Sequence, residues 1–264
     1  MDAINIERMR TPLDVASVTD RLTAAGYTDV QMVELTGSTN ADMVARRGAD
    51  LPKHLSVLLA EEQHAAKGRR GRPWSAPKSS QIICTVAVHV RGMPSSALGL
   101  IPLLTGNAVA RATGAKLKWP NDAQCDGRKL AGILVETIQV QPFPVLAIGI
   151  GVNYDLTEDE RPVPQATSYV DEGGALSRED LTVRILVNVL EDVERFRAMG
   201  GLAATVLPRY REYSSTLGSR VRAILPGEQT LEGKAVDIGE DGSLIIETAE
   251  GRTAVSAGDV EHLR

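Results

Sequence analysis

Aromatic residues are scarce: Phe, Trp and Tyr make up 3% of the 264 residues, with two tryptophans. The core must therefore be built from Ala, Val, Ile and Leu, and each tryptophan stands out. Trp74 and Trp119 both lie in polar stretches beside a cation, a setting that predicts a ligand platform rather than a core position. Cysteine is limited to Cys84 and Cys125, which excludes a disulfide framework and a cysteine-based zinc site. Cys84 falls inside an apolar run and is expected to be a small buried hydrophobe. His54, His64, His89 and His262 are scattered without metal-ligand spacing, so no metal ligands are assigned. No apolar run is long enough to span a bilayer, and Met1 to Arg10 lacks a signal-peptide core, so a cytoplasmic protein with no membrane partner is expected. Excess positive charge is missing too. Lys and Arg total 29 against 34 Asp and Glu, a formal charge of −5, which disfavours a general nucleic-acid binder. There is no Gly-x-x-x-x-Gly-Lys-[Ser/Thr], Gly-x-Ser-x-Gly or His-Glu-x-x-His, and Gly149-x-Gly151 lacks the third glycine and the βαβ setting of a dinucleotide site.

Against that acidic background, Lys67-Gly68-Arg69-Arg70-Gly71-Arg72-Pro73-Trp74 concentrates four cations, two glycines and an aromatic. Apolar runs flank it, Leu55 to Ala60 before and Gln81 to Val88 after, and both read as core strands. The basic stretch is then a loop between strands. Glycines let backbone approach a ligand closely, and arginines grip carboxylates and phosphates with paired N–H donors. An anion-binding loop for a small charged ligand and a solvated basic turn are both compatible with this stretch alone.

The chain before and after the loop supplies its neighbours. Pro12 to Gly26 carries helical spacing, too short for a winged helix–turn–helix domain, and no room for one is expected before Val30. Val30 to Leu35 reads as a strand. Ser38, Thr39 and Asn40 then start a helix, with an N-cap expected within Ser38 to Asn40 and the same polar groups facing a ligand. Ser95 to Thr113 reads as an apolar helix and Lys116 to Trp119 as a short strand, with Asn121-Asp122 making a turn. Lys129 to Thr137 and Pro144 to Val152 read as facing strands. Gly132 lies inside the first, Gly149 and Gly151 inside the second, which suggests either a flat ligand lying on the sheet or a pair of bulges. Asp155 to Gly174 is a long polar loop. Glu179 to Met199 is a long amphipathic helix and Leu202 to Tyr213 a second one. From Leu217 the texture changes to short alternating strands at Arg220–Leu225, Gly233–Ile238, Leu244–Thr248 and Arg252–Ser256. Turns are expected at Pro226-Gly227, Gly239 to Gly242 and Glu250-Gly251, and the whole predicts a small SH3-like β-barrel.

Several ordered motifs together resemble the biotin–protein ligases. They are Gly37-Ser38-Thr39-Asn40, Glu61 to Trp74, Lys118-Trp119-Pro120-Asn121-Asp122, Arg128 to Glu136, and Gly149-Ile150-Gly151-Val152-Asn153. The resemblance spans about residues 37–153, and the carboxy-terminal barrel also fits. It implies an α+β fold: a mixed-sheet catalytic domain with helices on one face, of the class II aminoacyl-tRNA-synthetase-like, biotinyl/lipoyl ligase type. The expected divisions are an N-terminal helical extension at 1–29, the catalytic domain at 30–216 and the barrel at 217–264.

The resemblance further implies an enzyme that joins biotin to a lysine of a biotin carboxyl carrier domain of acyl-CoA carboxylases. ATP, with Mg2+, would first give biotinoyl-5′-adenylate. Lys129, Arg69 and Asp122 are then the catalytic candidates. The biotin site would draw on Ser38, Thr39, Asn40, Gln63, Lys67, Gly68, Arg69, Lys129, Gly132, Leu134, Gly149 and Gly151. The ATP or adenylate site would draw on Arg69, Arg72, Trp74, Asn121 and Asn153. No metal ligand set and no DNA partner are implied, and a monomer or weak homodimer is expected. The alternatives are a lipoate–protein ligase of the same fold and, in a different class, a biotin-responsive transcriptional regulator. One departure concerns the loop. Where the family usually has Gly-Arg-Gly-Arg, this chain has Ala66-Lys67-Gly68-Arg69. Alanine resists positive φ and lysine lacks the planar two-pronged grip, so a less tightly ordered loop is expected. The loop composition itself favours disorder until a ligand arrives.

Overall fold

In a computed structural model, residues 10–74, 76–225, 229–256 and 258–263 are described. The expected turn at Pro226-Gly227 and the first nine residues of the expected N-terminal extension lie outside them. The first helix is α1 (Val15–Ala25), followed by β1 (Asp29–Thr36), α2 (Thr39–Ala45), β2 (Ser56–Gln63) and β3 (Gln81–His89). Next come α3 (Ile101–Thr113), β4 (Lys116–Lys118), β5 (Asp122–Cys125), β6 (Arg128–Gln139) and β7 (Val145–Asn153). Two helices, α4 (Arg178–Ala198) and α5 (Leu207–Tyr213), lead to the last five strands. Those are β8 (Arg220–Ile224), β9 (Thr230–Ile238), β10 (Leu244–Thr248), β11 (Gly251–Val255) and β12 (Asp259–His262).

The first seven strands form one mixed sheet in the order β1-β2-β3-β7-β6-β5-β4, in which β1 runs parallel to β2 and the other pairs are antiparallel. Alternation decides which side each residue faces. On β3, Ile82, Cys84, Val86 and Val88 point to the main core, where Val18 and Leu22 of α1, Leu104 and Val109 of α3, and Ile185 and Val189 of α4 meet them. Leu58 of β2, Ala87 of β3 and Ala147 of β7 face the other way and pack on Met43 of α2. The three longer helices thus share one face, as the resemblance implies. The short α2 lies on the opposite face, and this brings its first residues to the centre of the sheet. The aliphatic composition serves both sides, because small and branched side chains pack the pleated surface densely.

The last five strands form an antiparallel sheet in the order β11-β10-β9-β8-β12. Four of them fall where alternation predicts. The fifth, β12, is too short to show periodicity, and it pairs with β8. A strand is also found where only a turn was expected. The turn occupies Trp119 to Asn121, and Asp122 already begins β5, whose partner is β6. Two expected helices are shorter than predicted. Ser95 to Leu100 is a 3-10 turn before α3, and Ala203 to Thr205 is one before α5, each with a proline in the first turn of the following α-helix where its missing N–H costs nothing.

Trp119 corrects an expectation. It is 2% exposed, its backbone N–H donates to Thr216 Oγ1 at 3.0 Å, and its indole Nε1 donates to the Gly242 carbonyl at 2.9 Å. It is a core residue that ties the large sheet to the β9–β10 turn, not a ligand platform. Lysine and proline neighbours made it look polar, but the burying surface arrives from more than a hundred residues downstream.

Candidate active site

The site is built on the face that carries α2. Ser38 caps this helix by accepting from the Ala41 N–H. The cap fixes Thr39 and Asn40 pointing down onto the sheet, 3% and 6% exposed. Thr39 donates to Gln63 Oε1 through both its backbone N–H, at 2.7 Å, and its hydroxyl, at 3.2 Å. Asn40 Nδ2 donates to Glu136 Oε2 at 2.6 Å and lies 3.5 Å from the Leu134 carbonyl. Gly149 is needed beneath it, since a Cβ there would lie 2.6 Å from Asn40 Oδ1. Beside this cage a cavity of ≈ 630 Å³, within the range of small-molecule sites, is lined by Glu62, Gln63, His64, Lys67 and Trp74 among others.

Two further cage members escaped the sequence reading. The fully buried Thr85 hydroxyl sits 2.9 Å from Thr39 Oγ1 and 3.1 Å from Asn40 Oδ1. Its signal was a lone hydroxyl on the α2 side of an otherwise apolar strand. Glu136 lay inside a quoted motif without a role, and here it orients the Asn40 amide.

The second part is a floor. Gly132 of β6 pairs with Gly151 of β7, and Leu134 with Gly149, so the interior glycines face each other in register. The flat group lying on them is the indole of Trp74. A Cβ on Gly151 would come within 2.9 Å of that ring, and one on Gly132 within 3.0 Å. The indole Nε1 donates to Gln81 Oε1 at 2.8 Å. Lys129 Nζ lies 5.3 Å from the ring centroid and forms an ion pair with Asp122 Oδ1 at 2.7 Å.

The Lys129 backbone is held from the side by the long polar loop. Its N–H donates to the Gln165 carbonyl at 2.6 Å, and its carbonyl accepts from Thr167 N at 2.9 Å. Asn153 braces this arrangement, donating from Nδ2 to the Thr167 carbonyl at 2.9 Å and to the Lys129 carbonyl at 3.3 Å. At 1% exposure both amide hydrogens are committed to protein. Asn153 Oδ1 is buried and has no hydrogen-bond partner among the described residues.

The basic loop forms the third part. Its described residues form a hairpin. Lys67 bridges to Pro73, Gly68 N donates to the Arg72 carbonyl at 2.8 Å, and Trp74 N donates to the Ala66 carbonyl at 3.0 Å. The tight tip places Arg70 and Gly71 at φ 57° and 72°. Ala66 is not among the positive-φ residues and is buried, so the strain expected for alanine there does not arise. Arg69 reaches Asn121 Oδ1 at 3.3 Å and the Gly258 carbonyl at 3.0 Å. Burial pulls the Arg69 pKa down, opposed by the charge of Asp259. Arg70 donates to the Ile224 carbonyl at 3.0 Å, and Arg72 pairs with Asp259. Lys67 is exposed at the cavity mouth. Ser38, Thr39, Asn40, Gln63, Leu134 and Gly149 therefore converge, as do Gly132, Gly151, Trp74, Lys129 and Asp122. Arg69 and Asn121 link that floor to the second sheet, whereas Arg72 is drawn away to its rim. Among the described residues no group of three or more His, Cys, Asp and Glu side chains could hold a metal ion.

A polar cage, a glycine floor, a lysine and a cationic hairpin meet on one face of a mixed sheet, an arrangement suited to a small polar ligand with an anionic end. The comparisons make this specific. Residues 33–153 match the model of the Biotin/lipoate A/B protein ligase family, and residues 216–263 match that of the Biotin protein ligase C terminal domain. The biotin--[acetyl-CoA-carboxylase] ligase of Mycobacterium tuberculosis is 41% identical, over 98% of each chain. The bifunctional ligase/repressor BirA of Escherichia coli is 30% identical, over 83% of this chain and 69% of its own. A biotin protein ligase from Aquifex aeolicus, solved with biotin and ATP, superposes with a TM-score of 0.74 at 22% identity, covering 90% of this chain and 100% of that one. The chain belongs to the biotin protein ligase family.

Proposed function

We propose that this protein joins biotin to a lysine of a carboxylase biotin carrier domain at the expense of ATP. Two lines support this reading: the activity named for the Mycobacterium tuberculosis relative, and the convergence of the Thr39–Asn40–Gln63–Thr85 cage with the Lys129 and Arg69 cations around one floor. The cage offers donors and acceptors suited to a ureido head group, with Ser38 holding the helix that presents it. Gly149 and Leu134 lie beneath the head-group cage, Gly132 and Gly151 carry the Trp74 indole beside it, and Lys67, Gly68 and Arg69 flank the carboxylate end.

In the first step a biotin carboxylate oxygen attacks the α-phosphorus of ATP. The bond to the β-phosphate breaks, and pyrophosphate leaves with that electron pair. Two anions must meet, so cations have to screen them and stabilise charge developing on the phosphoryl oxygens. Lys129 takes this role, with Asp122 and Asn153 setting its position, and Arg69 and Arg72 serve the polyphosphate. In the second step the carrier lysine amine attacks the acyl carbon. AMP leaves, the amine loses a proton, and an amide remains. Asp122 is placed to orient that amine. Trp74, Asn121 and the Asn153 oxygen are the adenine-side candidates. Magnesium, carried by the nucleotide, counts as part of the substrate.

The division into a segment at 1–29, a catalytic domain at 30–216 and a terminal barrel at 217–264 belongs to the same proposal, as does a cytoplasmic location. Among the described residues no helix is long and apolar enough to cross a membrane. The test is incorporation of labelled biotin into an isolated carrier domain with ATP and magnesium, run beside labelled lipoate. Biotin transfer alone is expected, and transfer of lipoate without biotin overturns the proposal.

A further inference from the structure

Asp259 stands at the start of β12, paired in register with Ile224 of β8. Its carboxylate faces three guanidiniums of the hairpin, those of Arg69 at 3.9 Å, Arg70 at 3.4 Å and Arg72 in direct contact. The Asp259 side chain is 18% exposed, while those of Arg69, Arg70 and Arg72 are 28%, 40% and 68% exposed. Neighbouring carbonyls complete the grip, with Gly258 accepting from Arg69 and Ile224 from Arg70. Two of them, Arg69 and Arg72, are the cations that the proposed reaction assigns to its polyphosphate. Three guanidiniums converging on one small anion is also the arrangement by which arginines hold phosphate.

We propose that the Asp259 carboxylate holds the place of a polyphosphate on the hairpin, so that a nucleotide must displace it to recruit Arg69, Arg70 and Arg72. Asp259 is then a positioning residue contributed by the second sheet. It keeps the hairpin closed and its arginines aligned, and it competes with the incoming triphosphate. The neutral carbonyls of Ile224 and Gly258 do not compete in charge, and they keep the hairpin near the rim during the exchange. A purely structural carboxylate would strengthen nucleotide binding by ordering the loop, whereas a competing one weakens it. The two roles therefore predict opposite signs.

The inference rests on the nucleotide reading of the loop, and the test separates the two. Binding of ATP and of inorganic tripolyphosphate to the full chain is measured calorimetrically for the native protein, Asp259→Asn, Asp259→Glu and Glu261→Gln. Removing the competing charge is expected to tighten both ligands about five-fold, as for a partly exposed multi-arginine ion pair, with Asp259→Glu close to native. Glu261, on the same strand, pairs with Arg222 instead and is expected to leave affinity unchanged. Unchanged or weaker binding by Asp259→Asn overturns the competition. Absence of any ATP or tripolyphosphate binding by the native protein overturns the nucleotide reading of the hairpin, and this inference with it. Should Asp259→Asn fail to fold, Asp259→Ser, which also removes the charge and has a smaller side chain, is judged by the same outcomes.

Discussion

Lys129 pairs with Asp122 in the floor, and its backbone is fixed on both sides by residues 165–167. Because the side chain is part-exposed and the backbone is held independently of it, Lys129→Ala is expected to leave the fold intact. It should lower adenylate formation by at least about a hundred-fold, the loss typical of one preorganised electrostatic group at a developing charge. Pyrophosphate release with biotin and ATP measures this, and near-native turnover removes Lys129 from the catalytic list. Thr85 tests the cage differently. Valine keeps its shape but removes the hydroxyl that touches both Thr39 and Asn40. The expectation is a rise of about ten-fold in the KM for biotin with the KM for ATP unchanged, the usual cost of leaving buried polar partners unpaired. Equal rises for both substrates would place Thr85 outside the head-group cage. Residues of this kind divide sharply in how readable they are. Ser38 to Asn40 announce themselves by following a strand and preceding a helix. Trp119 and Asp259 do not, because the partners that define them, Gly242 and the Arg69–Arg72 hairpin, are about 120 and 190 positions away.

At the scale of elements, the hairpin depends on its base as well as its tip. Glu61, at the end of β2, accepts from Leu13 N at 2.7 Å, from Ser79 Oγ at 2.7 Å, and from Arg178 NH2 through both oxygens at 2.9 and 2.7 Å. Arg178 in turn donates to the carbonyls of Gln81 and Thr11. Both members are 6% exposed, so α4, β2, β3 and the chain before α1 share one buried ion pair at the foot of the loop. Glu61→Ala strands the guanidinium, and about 3–5 kcal/mol of stability should be lost, read as a fall in the denaturation midpoint. A loss under about 1 kcal/mol would mean that water reaches Arg178. The loop sequence makes its own prediction. Ala66 is buried without positive φ, so Ala66→Gly removes a packed methyl and adds freedom to the unfolded chain. It is expected to cost roughly 0.5–1 kcal/mol without slowing release of the adenylate. Lys67→Arg, at the cavity mouth, should carry any slowing by itself, because only it adds a bidentate donor. An adenylate off-rate slowed by Ala66→Gly alone would reverse that assignment. Elements with strong periodicity, such as β3 and α4, were readable to within a residue or two. The short strands β5 and β12 were not, since four residues hold no period and their partners supply the register.

For the whole molecule, the pieces that hold Lys129 are pinned to the amino-terminal segment. Arg10 NH1 donates to Glu160 Oε1 at 2.8 Å, and NH2 meets Oε2 at 2.5 Å. Glu160 also closes a capping box with Thr157 in the loop that ends on Gln165 and Thr167. The Arg10 guanidinium, with help from Thr157, pulls the Glu160 carboxyl down from 4.5 to about 2. A depressed carboxyl stabilises the fold above its unfolded value and loses that contribution as the pH falls through the folded value. The pair is thus expected to act fully at neutral pH and to fade between 4.5 and about 2. Because the loop also carries the backbone partners of Lys129, its loosening should reach the active site before the sheets unfold. Protection of the Lys129 and Thr167 amides, taken relative to the intrinsic exchange rate at each pH, is expected to fall on acidification while the amides of β3 and β7 keep theirs. Glu160→Gln, which removes the titrating charge, should show the lower protection already at neutral pH and flatten its dependence over the acid range. Protection in the native protein that stays constant through this window, or that falls equally in β3, would sever the link between the amino-terminal segment and the catalytic lysine.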